Sequence, residues 1–131
     1  MLRNAIILVA LALAGCGGSK EAPLADAEKA GELFFQRFEK GNYQLIHNDG
    51  AQAFKEQVQA EEADAKLEQI SQYGMLRQRT LIKNPVEGEG KGRISTLVYT
   101  LLFDKARVEG TLKFLDQDGE WKLLGFEFKP K

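Results

Sequence analysis

The apolar residues of this chain change period once, near Tyr73-Gly74, and do not change back. Before that point they recur three and four apart, as on one face of an α-helix. After it they alternate or run together, as they do in strands. A chain that spends its first half on helices and its second on strands builds an α+β domain, one antiparallel sheet with helices packed on one face.

Within the helical half, Ala27, Ala30, Gly31, Phe34, Phe35 and Phe38 form one stripe over 24–40, with Lys40 in the last turn and Gly41 as the terminator. Asn42 is placed to cap a short helix that Asn48-Asp49-Gly50 ends. Ala51, Phe54 and Val58 make a third stripe, and Ala63, Leu67 and Ile70 a fourth. Glu61, Glu62 and Asp64 crowd the start of that fourth helix, where negative charge is favoured.

The second half divides into about four strands, at 75–83, 93–103, 106–116 and 120–129, with Asp118-Gly119 as a hairpin turn. The last strand but one is single-faced, with Val108, Leu112 and Phe114 on one side and Arg107, Glu109 and Lys113 on the other. The strand RISTLVYTLLF is apolar on both sides. Its expected inner face is Thr96, Val98, Thr100 and Leu102, which turns Leu97, Tyr99, Leu101 and Phe103 outward. In the last strand Leu124, Phe126 and Phe128 share a face, with Trp121 and Leu123 opposite unless a bulge near Gly125 shifts the register. The expected core or pocket is Phe34, Phe38, Val98, Leu112, Phe114 and Phe126, and the expected interface is Leu97, Tyr99, Leu101, Phe103 and Trp121. Exposed apolar surface of that extent marks a contact with a second copy or a partner protein.

The first twenty residues follow a different logic. Arg3 and the α-amine precede ten unbroken apolar residues, AIILVALALA, and small residues then lead to Cys16, the only cysteine of the 131 residues. Ten residues at 1.5 Å each cover only about half of a ~30 Å hydrocarbon core, so the run reads as an export signal and not a membrane span. Leu13-Ala14-Gly15-Cys16 resembles the lipobox of bacterial lipoproteins. The resemblance implies removal of residues 1–15, a diacylglyceryl group on the Cys16 sulfur, and a lipid-anchored protein facing the periplasm. Gly17 in place of Asp leaves sorting to the outer membrane open, and a Gram-positive cell would carry the same anchor on its surface. Residues 16–23 then read as lipidated cysteine and flexible tether, and 24–131 as a single domain. Loss of Arg3 moves the formal net charge from −1 to about −2, which gives no footprint for nucleic acid.

The helix-then-sheet order, the stretch FFQRFEKGNYQLIHND and the closing DQDGEWKLLGFEF resemble the nuclear transport factor 2-like superfamily. That resemblance implies a cone, with the helices lying in the hollow of a strongly curved sheet, and dimers formed through the outer sheet face. A cystatin-like fold, one helix wrapped by four strands, is the alternative. Enzymes of the superfamily place an Asp–His or Asp–Tyr pair inside the cone, and here His47 with Asp49 and Tyr43 is the matching set. A histidine oriented by a carboxylate has the pKa of a general base. The same IHNDG also makes an ordinary helix terminus.

Other chemistry is thinly represented. Gly88, Gly90 and Gly92 around Lys91 precede a strand, whereas a phosphate cradle needs a helix N-terminus after its glycines. One histidine, a cysteine committed to lipid and the lack of an Asp-x-Asp-x-Asp-Gly loop predict no metal and no cofactor. The expectation is a non-catalytic interaction module, with a small-molecule enzyme or a carrier of apolar ligands among the eight phenylalanines as alternatives.

Overall fold

A computed structural model describes residues 21–89 and 92–131; the leader, Cys16 and residues 17–20 lie outside them. Four helices come first, α1 (Asp26–Glu39), α2 (Tyr43–Asn48), α3 (Gln52–Gln57) and α4 (Ala60–Ser71). Five strands follow, β1 (Leu76–Lys83), β2 (Val86–Glu87), β3 (Ile94–Phe103), β4 (Arg107–Gln117) and β5 (Glu120–Pro130). The sheet is antiparallel in the order β1-β3-β4-β5, with the short β2 also paired to β3. This is the expected α+β architecture.

Helix α1 buries Ala27, Gly31, Phe34, Phe35 and Phe38, and Gly41 ends it at φ 74°, where a glycine adopts the left-handed backbone without strain. Asn42 stands at the α2 N-cap but makes no side-chain capping bond. Arg79 of β1 ties the sheet edge to α1. It pairs with Glu32 and with Glu39 (2.9 Å), and its guanidinium lies 5.5 Å from the Phe35 ring centre. The hydrogen bond to Glu32 holds that guanidinium even more firmly charged than usual.

The two faces of β3 are the reverse of the expectation. Leu97 and Leu101 are fully buried and Tyr99 and Phe103 nearly so, whereas Val98 and Leu102 are half-buried on the other side. Pairing decides this. Leu97 lies opposite Leu112, and Leu101 opposite Val108, so they share the face that the single-sided β4 commits to the helices. Tyr99 fits there because Gly31 of α1 makes room, where a Cβ would collide with its hydroxyl. Gly110, opposite Tyr99 on β4, is covered by Leu101 and Phe128. Burial, with Glu32 and Glu28 nearby, pushes the Tyr99 hydroxyl up to about 12 in spite of Arg79, so it stays neutral.

In β5 the bulge is present. Lys113 pairs with Gly125 but Phe114 with Leu123, which leaves Leu124 as an extra residue. Trp121 and Leu123 before it, and Phe126 and Phe128 after it, therefore all face inward. The core is a sandwich of aromatic rings between α1 and the sheet, with Phe34 on Phe126 (5.8 Å), Phe35 on Tyr99 (4.9 Å) and Phe38 on Phe103 (6.3 Å).

One further departure lies at the N-terminus. Within residues 21–23, expected as tether, Ala22 is buried against the sheet, only 2% exposed, between the exposed Glu21 and Pro23.

Candidate functional site

The three side chains that matched a catalytic set only as the alternative to a non-catalytic module go three different ways. His47 is buried, and its Nε2 lies 2.6 Å from the Val58 carbonyl oxygen. A carbonyl only accepts, so this ring nitrogen is the donor, and it fastens α2 to the α3–α4 connection. The ring also packs on Phe54, 5.5 Å between centres. Asp49 pairs with Arg37 of α1 at 2.7 Å, and Tyr43 stacks on Phe38 with centres 6.1 Å apart. Histidine and carboxylate are thus each held by another partner.

This makes His47 a structural residue, with a measurable consequence. His47→Ala should cost about 2–3 kcal/mol in urea unfolding, since it strands a buried carbonyl and removes a ring from the core. A stability equal to that of the unaltered chain would show that the ring does not fasten the two helices.

The hollow of the sheet is largely filled. Between α1 and β4–β5 a cavity of about 160 Å³ remains, walled by Phe34, Ile46, Phe114, Trp121 and Leu123, with Arg37 and Asp49 beside them. Ligand pockets usually run from about 300 to 1,000 Å³. A wider depression, about 730 Å³ and open to solvent, lies at the other end, among Phe38, Tyr43, Met75, Leu76, Asp104 and Lys105. Among the described residues, no three His, Cys, Asp or Glu side chains converge as a metal site would require, and no helix is long and apolar enough to cross a membrane.

Of the expected core, Phe34, Phe38, Leu112 and Phe114 are buried and Phe126 is half-buried at the edge, but Val98 lies on the opposite face. All five expected interface residues, Leu97, Tyr99, Leu101, Phe103 and Trp121, are inside the fold. The true outer face of β3 and β4 presents Thr96, Val98, Thr100 and Leu102 beside Glu109, Thr111, Lys113 and Leu115. Cross-strand partners there include Val98 with Thr111, Thr100 with Glu109, and Glu109 with Lys129 of β5. It is a threonine-rich surface with charges of both signs, and not the greasy patch expected.

A second constellation carries no local signal in the sequence. Asp116 and Arg93 form a buried pair at 2.9 Å, and Arg93 lies 5.1 Å over the Trp121 ring. All three bond to the main chain of residues 22 and 23. Their partners are more than seventy residues away along the chain, so spacing alone could not have revealed them.

No protein-family model matches the chain, and no curated protein matches it in sequence. Among solved structures it is similar to one described as a putative calcium/calmodulin-dependent protein kinase type II association domain from Thiobacillus denitrificans. The TM-score is 0.57 at 13% identity, over 88% of this chain and 99% of that one. That neighbour has a nuclear transport factor 2-like fold, and the likeness assigns the same fold class here.

Proposed function

We propose that this chain is an exported lipoprotein, anchored through Cys16 to a bacterial membrane on its periplasmic side, whose α+β domain is a non-catalytic interaction module. It associates with a second copy of itself through the outer sheet face. The observation that carries this reading is the uncovered face itself, because among the described residues the helices pack on the other side of the sheet. Glu109 and Glu127 with Lys113 and Lys129 give that face charges of both signs, as a self-complementary twofold contact needs. The structural neighbour is described as an association domain, which agrees with this use of the fold. The leader and lipobox support the anchored location.

Size sets the strength. Four strands about 4.8 Å apart and roughly ten residues long present about 600 Å². Standard interfaces bury about 800 Å² per partner, so the pair should be weak and concentration-dependent. Light scattering on the chain from Gly17 onward should show the mass rising towards two copies between micromolar and millimolar concentration. Val98→Lys or Thr111→Lys, neighbours at the centre of the face, should hold the chain monomeric without altering its unfolding curve. A monomer throughout that range, with no crosslinked partner in intact envelopes, would overturn the reading. A different protein crosslinked at Val98 would reassign the face to that partner. Radiolabelled palmitate should enter the exported chain and be lost in Cys16→Ser.

A further inference from the structure

The last residues of the expected tether are gripped through their backbone. The Ala22 N–H donates to Asp116 Oδ2 (3.0 Å), and the Ala22 carbonyl accepts from Arg93 Nη2 (2.5 Å). The Trp121 indole N–H donates to the Pro23 carbonyl (2.8 Å). Arg93, Asp116 and Trp121 stand at one level of the sheet, since Asp116 pairs with Trp121 on β5 and donates its backbone N–H to Arg93 (2.9 Å). These are three main-chain bonds to one short strap. A solvated linker has no need of them, and a buried ion pair is a costly thing to build beneath one.

From this geometry we infer that Arg93, Asp116 and Trp121 are a clamp that fixes the lipid-bearing end of the chain to the domain, so that this end of the sheet faces the bilayer. The inference rests on the reading of Cys16 as the attachment point. Six peptide units separate Cys16 from Ala22 and span at most about 21 Å at ~3.5 Å each. Without the clamp the first fixed point would be α1 at Asp26, ten units away and up to about 35 Å. Glu21, Glu87, Asp118 and Glu120 are exposed at this end of the sheet, with Glu21 paired to Arg93 (3.8 Å) and Glu120 to Lys122 (3.2 Å). Their charge keeps the end hydrated beside an anionic lipid surface, so orientation comes from the short leash and not from adhesion. The strands then run away from the membrane, and their outer face looks sideways towards neighbours on the same bilayer.

Trp121 is the only tryptophan and reports on the clamp directly. The test uses the full lipidated chain in phosphatidylcholine–phosphatidylglycerol vesicles with a dansyl-labelled headgroup lipid. Ala22→Asp, which sets a second carboxylate beside Asp116, should expel the strap. It should redden Trp121 emission, open the chain to cleavage after Glu21, and lower Trp-to-dansyl transfer at least about twofold as the leash lengthens. Far-UV circular dichroism and cooperative unfolding should persist, since only the strap is displaced. If palmitate enters but Trp121 emission and energy transfer are the same in both chains, the clamp inference falls and the anchored module stands. If no palmitate enters, the membrane-facing assignment falls with the anchor, whatever Trp121 does.

Discussion

Leu101→Asp should abolish folding, whereas Leu102→Asp, one residue along the same strand, should cost less than about 1 kcal/mol. Leu101 is fully buried opposite Val108, and its Cδ1 fills the space above Gly110. A carboxylate there has no water, and the cation opposite it on β1, Arg79, is already held by Glu32 and Glu39; the several kcal/mol of its desolvation is comparable to the ~5–15 kcal/mol that holds a domain together. Leu102 faces outward between Gln78 and Arg107, where a carboxylate stays hydrated and meets a guanidinium. Soluble yield and urea unfolding followed by circular dichroism separate the two. A folded Leu101→Asp with an unfolded Leu102→Asp would mean that the sheet is turned the other way about.

Arg93→Ala should destabilise the domain by about 3–5 kcal/mol, the usual result of leaving one charge of a buried pair without its partner. Asp116 has a side chain only 1% exposed, and its Oδ1 already lacks a hydrogen bond. Removing the guanidinium leaves only the Ala22 N–H on the other oxygen. The double change Arg93→Met with Asp116→Leu should recover most of the loss, because apolar residues of similar volume often replace a buried pair at no net cost. Urea unfolding of the two single variants and the double one measures the coupling. Equal and additive losses would show that the pair does not act as a unit.

Much of the architecture was legible because it depends on period and turns. The switch at Tyr73-Gly74, the helix end at Gly41 and the single-faced β4 all appear as read. Asp118 and Gly119 both take positive φ (55° and 83°), as a tight hairpin turn demands. The facing of β3 was only weakly marked, since Thr96 and Thr100 on one side stand among Val98 and Leu102, which are as apolar as Leu97, Tyr99, Leu101 and Phe103 on the other. Pairing with β4 decides it, and register is a property of two strands together. The site fared worse for a similar reason. His47 donates to a backbone carbonyl and the clamp holds backbone groups, and a backbone acceptor looks the same at every position in a sequence.

The extra residue at Leu124 also limits how this strand can vary. Because inward and outward positions swap parity there, deletion of that residue would turn either Trp121 and Leu123 or Phe126 and Phe128 out into water. Side-chain exchange in β5 is therefore a local matter, while any change of length rewrites half of one wall. A relative without the insertion must place its own inward residues on the opposite parity, so an alignment that counts strict alternation through this strand will match buried positions to exposed ones.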